Sequence, residues 1–394
     1  MASNALGQDY VKLALHLNKH IDGLVDAYFG PKALIDEVAN EGTLPLATLD
    51  QRCAELRGRA ASEVAGVERR TFLVKQLEAL AAQIEAKTGQ PFPKQGDFRQ
   101  YVQRLFDIDP TPADEAELEA HRQQIAAALA ALGYVGDLAD AVARWEQDRY
   151  VSGPALLDLI NHVLEEARKR TKQIVELPPG EDVRVEAVQN QPWSGYNWYQ
   201  GDFKSLIQVN IDIPRTRIET EDLVTHETYP GHHTDHATKE MVLYRGRGFL
   251  EESIMLINTP SAVLSEGIAS TAGTFIASEE PDADQQIATL LRKLRRGCDV
   301  NATLMLHDQG LGTDACREYL ETKGLMTRQR AEKRLSFLTH PLWQPYSYTY
   351  WAGGRLVEEY YARAKRAGKL KEAFEVLYRH QLTPSGLRER MGAL

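Results

Sequence analysis

The chain is poor in cysteine, has no excess of basic residues and contains no long apolar run. Cys53, Cys298 and Cys316 are the only cysteines in 394 residues. An odd number at such wide spacing forms neither a disulfide framework nor a metal-ligand pattern, and reads as reduced thiols. No stretch approaches the roughly 18 consecutive apolar residues of a membrane-spanning helix. The opening Met-Ala-Ser-Asn-Ala-Leu-Gly-Gln-Asp lacks the basic and apolar segments of a secretory leader. The expected setting is therefore the cytoplasm, without membrane contact. Lys and Arg number 46 against 56 Asp and Glu, a formal charge of −10, which disfavours nucleic acid as a partner. The basic cluster Arg292-Lys293-Leu294-Arg295-Arg296 alternates with apolar positions, so it reads as the solvated face of a helix. No repeat of fixed period and no low-complexity tract is present. What remains is a globular chain whose 43% hydrophobic content can bury a large core.

The apolar spacing is overwhelmingly helical. Tyr10, Leu13, Leu17, Ile21, Leu24 and Tyr28 recur three and four apart until Gly30-Pro31. Similar runs rich in Ala, Leu, Glu and Arg lie near 68–88, 114–132, 137–148 and 153–174. Others follow near 283–309, 313–322, 327–337 and 346–366. The texture changes at Leu177-Pro178-Pro179-Gly180, after which 183–188, 195–199 and 205–211 read as short strands with turns at Gly195 and Gly201-Asp202. The expected fold is mainly α, with an N-terminal helical region over 1–176 packed as one unit against a region over 177–394 that carries a small β-sheet. A strand edge there either binds an extended peptide through main-chain hydrogen bonds or simply covers the helices.

Directly after these strands, in a helix expected to start near Thr220, stands His226-Glu227-Thr228-Tyr229-Pro230-Gly231-His232-His233. Two imidazoles, a third in reserve and a carboxylate beside one helical turn are the inventory of a zinc hydrolase. A Glu next to a ligating His is placed to act as general base on water at the metal's open position. The common His-Glu-x-x-His spacing, with both ligands on one helical face, is absent because Pro230 occupies the second histidine's place. On an unbroken helix His232 would point roughly 120° away from His226, and His233 would realign to within roughly 20° but roughly 10 Å further along the axis. Two nitrogens at about 2.0 to 2.1 Å from one zinc can be no more than roughly 4 Å apart. The helix must therefore deform. The Pro230 ring would clash with the carbonyl of His226 and offers it no N–H, while Gly231 reaches backbone angles closed to other residues. A bulge or kink at Pro230-Gly231 is expected to swing His232, or alternatively His233, back toward His226. The competing reading ends one helix here and starts a turn with solvated histidines.

A third ligand is expected from Thr259-Pro260-Ser261-Ala262-Val263-Leu264-Ser265-Glu266-Gly267-Ile268-Ala269. Thr259-Pro260 reads as an N-cap and first helical position. The small residues Ala262, Gly267, Ala269, Ala272 and Gly273 let a neighbouring backbone approach, which marks an internal helix. A carboxylate in such a helix is costly unless paired or bound to metal, so Glu266 is the candidate. His16 and His20, four apart on the first helix, lack a flanking carboxylate and read as packing or surface residues.

HETYPGHH followed by Ser-Glu-Gly-Ile-Ala resembles the paired motifs of a bacterial family known as domain of unknown function 885, grouped with zincin-like metallopeptidases. The resemblance extends through Gln344, Ser347-Tyr348 and the Phe374 to Leu387 segment, roughly the second half of the chain. Ile268 stands where that family commonly has Trp, and its chains are usually longer. The resemblance implies a zincin-like helical metallohydrolase and points to Tyr348 as a hydroxyl that stabilises an oxyanion. Arg355, seven residues on, would share its helical face and could anchor a substrate carboxylate.

Together these readings lead to an expected zinc-dependent peptidase: His226, His232 (or His233) and Glu266 as ligands, Glu227 as general base, and Tyr348 assisting. Manganese, cobalt or iron would suit the same ligands. The expected partner is a peptide or small amide. A hydrolase of non-peptide amides or esters, and a non-catalytic helical scaffold with a relic or structural metal site, are the alternatives.

Overall fold

In the computed structural model, which describes residues 2–88, 97–190, 195–212, 214–277, 280–392 and 394, helices dominate as the apolar spacing implies. The first, Ala2–Asn18, turns Leu6, Tyr10, Leu13 and Leu17 inward. It stops ten residues short of Tyr28: turns follow over 19–24, where Gly23 adopts a φ of 78° that no helix can contain. Val25–Tyr28 instead pairs antiparallel with Ile254–Leu256. Lys32–Asn40, Leu46–Glu63, Val67–Thr88, Phe98–Phe106, Glu115–Ala131, Leu138–Gln147 and Gly153–Thr171 complete the N-terminal helices.

The hydrophobic cores do not respect the division at 176/177. One joins Leu6 to Ile84 with Leu250 to Tyr346, and a second joins Ala79 to Trp145 with Val263 to Trp351. Burial at roughly 25 cal/mol per Å² therefore couples both halves of the chain.

The three strands form one sheet, with Lys204–Asn210 central, parallel to Asp182–Val188 and antiparallel to Gly195–Gly201. Ile207 and Val209 pack inward on Leu156, Ile160 and Val224, so the sheet covers helices Gly153–Thr171 and Arg217–Glu227. Its edge strand Gly195–Gly201 borders the main cavity through Gly195, Tyr196 and Asn197.

The motif helix begins earlier than Thr220. Thr216 caps it, accepting from the Glu219 N–H at 3.0 Å while the Glu219 carboxylate accepts from the Thr216 N–H at 3.0 Å, the reciprocal arrangement that satisfies two orphan donors. Pro260–Phe275 starts at its proline as expected and is almost wholly buried. A β-carbon on Gly267 would lie 2.5 Å from the Gly353 carbonyl oxygen, and one on Gly353 would lie 2.1 Å from that of Val263, so backbone rests on backbone. The expected 346–366 helix contains a π turn at Thr349–Gly353 before Gly354–Arg366. Among the described residues, no helix is long and apolar enough to cross a membrane.

Candidate metal centre

The helix through the motif ends instead of bulging. Arg217–Glu227 stops, Thr228 leaves helical angles at φ −119° and ψ −98°, and a second helix, His232–Lys239, starts after Gly231. The Tyr229-Pro230 peptide is cis. The Gly231 N–H donates to the Thr225 carbonyl at 3.0 Å. A β-carbon at position 231 would sit 1.9 Å from the His226 carbonyl oxygen and 2.4 Å from that of Thr225, so only glycine fits. The last turn of one helix and the first turn of the next thereby face each other. The histidines are not solvated, in contrast to the reading in which the helix merely ends.

This junction places His226 and His232 beside Glu266. The His226 and His232 rings are 4.8 Å apart between centroids and almost perpendicular, at 89°. Glu266 Oε2 lies 3.3 Å from His226 Nε2 and 3.8 Å from His232 Nε2. One ligand atom from each residue falls within 4.8 Å of the other two. Tetrahedral zinc with bonds of about 2.0 to 2.1 Å spaces its ligand atoms by about 3.3 Å, so side-chain adjustments of up to about 1.5 Å close the shell. Glu266 Oε2 is buried and has no hydrogen-bond partner among the described residues, while Oε1 accepts from the Tyr346 hydroxyl at 2.9 Å. A buried carboxylate oxygen without a donor, aimed at two imidazole nitrogens, fits a divalent cation. The Ser265 hydroxyl lies 3.1 Å from His232 Nδ1 and orients that ring, as outer partners of metal-binding histidines do.

Charge follows the same geometry. Burial alone would push the Glu266 carboxyl up, but the facing imidazoles and Tyr346 outweigh it and hold it below the usual carboxylate range. Burial likewise works against charge on His226, and Glu266 and Glu227 reverse it, raising that imidazole. His236 is pushed well down by burial, with His232 and Lys239 adding to the effect.

His233, the alternative second ligand, points elsewhere. It is fully buried, with Nδ1 2.9 Å from the Ser205 hydroxyl and Nε2 3.1 Å from Glu181 Oε2. An ionised carboxylate only accepts, so Nε2 carries the proton and Nδ1 accepts from Ser205. Adjacent residues on a helix diverge by roughly 100°, which sends His232 to Glu266 and His233 to Glu181. Glu181 also accepts from the Tyr229 hydroxyl and from Arg168 at 2.7 and 2.9 Å. It therefore ties down both sides of the Pro230-Gly231 junction.

Tyr348 is not at the centre either. It is 1% exposed, and its hydroxyl donates to the Pro110 carbonyl at 3.4 Å inside the second core. Arg355 is also elsewhere, paired with Glu117 at 2.8 Å on the outside. The π turn at 349–353 carries more than 3.6 residues per turn, so the helical register assumed across it does not hold. Tyr346 and Tyr350 face the site instead, the Tyr350 ring centroid lying 6.4 Å from that of His226.

Glu227, His226, His232 and Glu266 border one cavity of about 760 Å³, together with Tyr196, Tyr346 and Tyr350. Asn197 Nδ2 donates to the Glu227 carbonyl at 2.7 Å, joining the edge strand to the motif. Asp26 accepts from the Tyr196 hydroxyl. These two are 170 positions apart, and no local sequence pattern signals such a pair; the same holds for Glu181. Ser265, by contrast, adjoins Glu266 and could have been suspected from that position alone.

No protein-family model and no curated protein matches the chain. Among solved structures, it is similar to a protein from Colwellia psychrerythraea provisionally described as a lipoprotein, at 16% identity and a TM-score of 0.61, over 88% of this chain and 67% of that one. It is also similar to one from Shewanella oneidensis, provisionally described as a lipoprotein of unknown function, at 13% identity and a TM-score of 0.59, over 89% and 74%. At such identities the likeness is one of fold.

Proposed function

We propose that the chain is a zinc-dependent hydrolase acting on peptide bonds, with His226, His232 and Glu266 holding the metal. The observation that carries this reading is the convergence of those three side chains in one cavity with Glu227, which a purely structural metal site would not need. Bound there, zinc supplies Lewis acidity and lowers the pKa of water. The Glu227 carboxylate accepts a proton from the attacking water and delivers it to the leaving nitrogen. Asn197 holds the Glu227 backbone and so fixes where that carboxylate starts. Tyr346 orients Glu266. Tyr350 takes the place first expected of Tyr348: it lines the cavity, and its hydroxyl has no hydrogen-bond partner among the described residues, leaving it free to donate to a developing oxyanion. Burial, with Glu266 adding to it, holds the Tyr350 phenol well above its usual value, so it stays protonated.

Glu227→Gln tests the reading directly. The variant should bind zinc as the parent does while peptide hydrolysis falls by about 10² to 10⁴-fold. Unchanged turnover would remove Glu227 from the reaction. A panel of peptides beside simple esters separates peptidase from esterase, since the same activated water serves either carbonyl. A cytoplasmic setting belongs to this proposal, supported by three buried free thiols. The description of both similar structures as lipoproteins makes the cell envelope the alternative, which cell fractionation decides.

A further inference from the structure

A second cavity of about 400 Å³ lies beyond Tyr350, between helices Glu115–Ala131, Pro260–Phe275, Ala283–His307 and Gly354–Arg366. Ser270, one turn after Glu266 on the same helix, brings it within roughly 6 Å of helix rise of the metal centre. Tyr350 lines both cavities. Most charges here are matched. Arg292 pairs with Asp222, Lys293 with Glu358 at 2.7 Å, Arg355 with Glu117 at 2.8 Å and Arg363 with Glu359 at 2.6 Å.

Arg296 is the exception. Among the described residues its guanidinium has no carboxylate or hydrogen-bond partner, only the Tyr350 ring 5.7 Å from its central carbon. A β-carbon placed on Gly354 would lie 3.6 Å from Arg296 Nη1 and 3.7 Å from the Ser270 β-carbon, which puts that guanidinium edge and Ser270 against the same patch of backbone. The Ser270 hydroxyl is itself buried without a partner. Two unused donors converge on one cavity. A half-buried guanidinium without a carboxylate partner is costly unless an anion completes it. Burial and the neighbouring Arg292 push Arg296 down to about 10, against the opposing pull of Glu266, Tyr350 and Asp222.

We propose that this second cavity binds a monocarboxylate through the Arg296 guanidinium and the Ser270 hydroxyl. Planar guanidinium donors match a carboxylate in a two-bonded fork. The charge count favours a monoanion: the lining carries Arg292, Lys293, Arg296 and Arg355 against Glu117, Glu358 and Glu359, a surplus of one positive charge, which a monoanion neutralises and a dianion exceeds. The volume exceeds by far the roughly 30 Å³ of a water molecule, so the carboxylate arrives on an organic body, such as an acylated amino acid or the end of a peptide. Binding here requires no hydrolysis at the metal centre, although the two cavities share Tyr350.

Calorimetric titration with N-acetylalanine, N-acetylalaninamide and inorganic phosphate tests it on the whole chain, with Arg296→Gln, Ser270→Ala and Glu227→Gln beside the parent. The expected result is saturable binding of N-acetylalanine and none of the amide. Affinity should fall tenfold or more in Arg296→Gln, fall several-fold in Ser270→Ala and be unchanged in Glu227→Gln. Arg296→Gln should melt no lower than the parent, since it removes an uncompensated charge; a purely structural arginine would give a lower melting temperature. Should that variant not fold, Ser270→Ala decides, and undiminished affinity there overturns the proposal. Equal binding by Arg296→Gln, tighter binding of phosphate than of carboxylate, or a loss confined to Glu227→Gln would also overturn it. The last result would place the carboxylate at the metal centre and leave the hydrolase reading standing.

Discussion

Replacing Glu181 by Gln should loosen the metal centre from a distance and expose a pH-dependent share of the protein's stability. Glu181 is buried and accepts from Tyr229, His233 and Arg168. Burial on its own would raise its carboxyl, but these donors overcome that and bring it from the usual 4.5 down to about 2. A displacement of that size corresponds to about 3 kcal/mol of differential stabilisation of the charged form. Because the folded carboxyl lies below its unfolded value, this stability is fully present above about pH 4.5 and is lost as pH falls toward 2. Urea unfolding at pH 7 should therefore show Glu181→Gln about 3 kcal/mol less stable, and the gap should shrink as both proteins are titrated from pH 5 to pH 2.5. Zinc affinity should drop by about 10 to 100-fold, the usual cost of disturbing an outer partner, since Tyr229 and His233 flank the junction that aims His232. A pH-independent gap, or one below about 1 kcal/mol at pH 7, would refute the assignment of Glu181 as the charged clamp of the motif.

Gly231→Ala places a β-carbon 1.9 Å from the His226 carbonyl oxygen, so the two helices must part; a loss of about 3 kcal/mol or more in chemical unfolding, together with failure to retain zinc on dialysis, is expected. Tyr350→Phe should lower kcat by about 10 to 10³-fold with KM little changed, whereas Tyr348→Phe, which removes only a 3.4 Å contact with the Pro110 carbonyl, should leave both parameters alone. Steady-state kinetics on the two variants separates them, and the reverse pattern would restore Tyr348 to the site.

Much of the architecture is legible residue by residue. The three- and four-residue apolar spacing and the helix starts at Asp114, Asp137 and Pro260 all lie close to where side-chain chemistry puts them, because capping and apolar periodicity are local properties. The overshoot from Asn18 to Tyr28 arises from residues whose apolar spacing still looks helical, although Gly23 has already turned the chain toward its strand partner at 254–256. The Tyr348 expectation failed for a similar reason. A π turn cannot be seen in a run of Tyr, Thr and Trp; where it lies, Gly353 packs closely on the Val263 carbonyl, 90 positions away in sequence.

From residue order alone it follows that an α-helix cannot run unbroken through His226 to His233, since proline and glycine at 230 and 231 forbid it, and that a lone Glu in a helix of small residues needs a partner. Which way each imidazole turned lay outside the reach of residue order. His232 meets Glu266 and His233 meets Glu181 only because the Pro260–Phe275 helix packs on one side of the junction and the loop before the sheet lies on the other. Those placements depend on burial summed over both halves of the chain, and such long-range packing leaves no signature in any short stretch of residues.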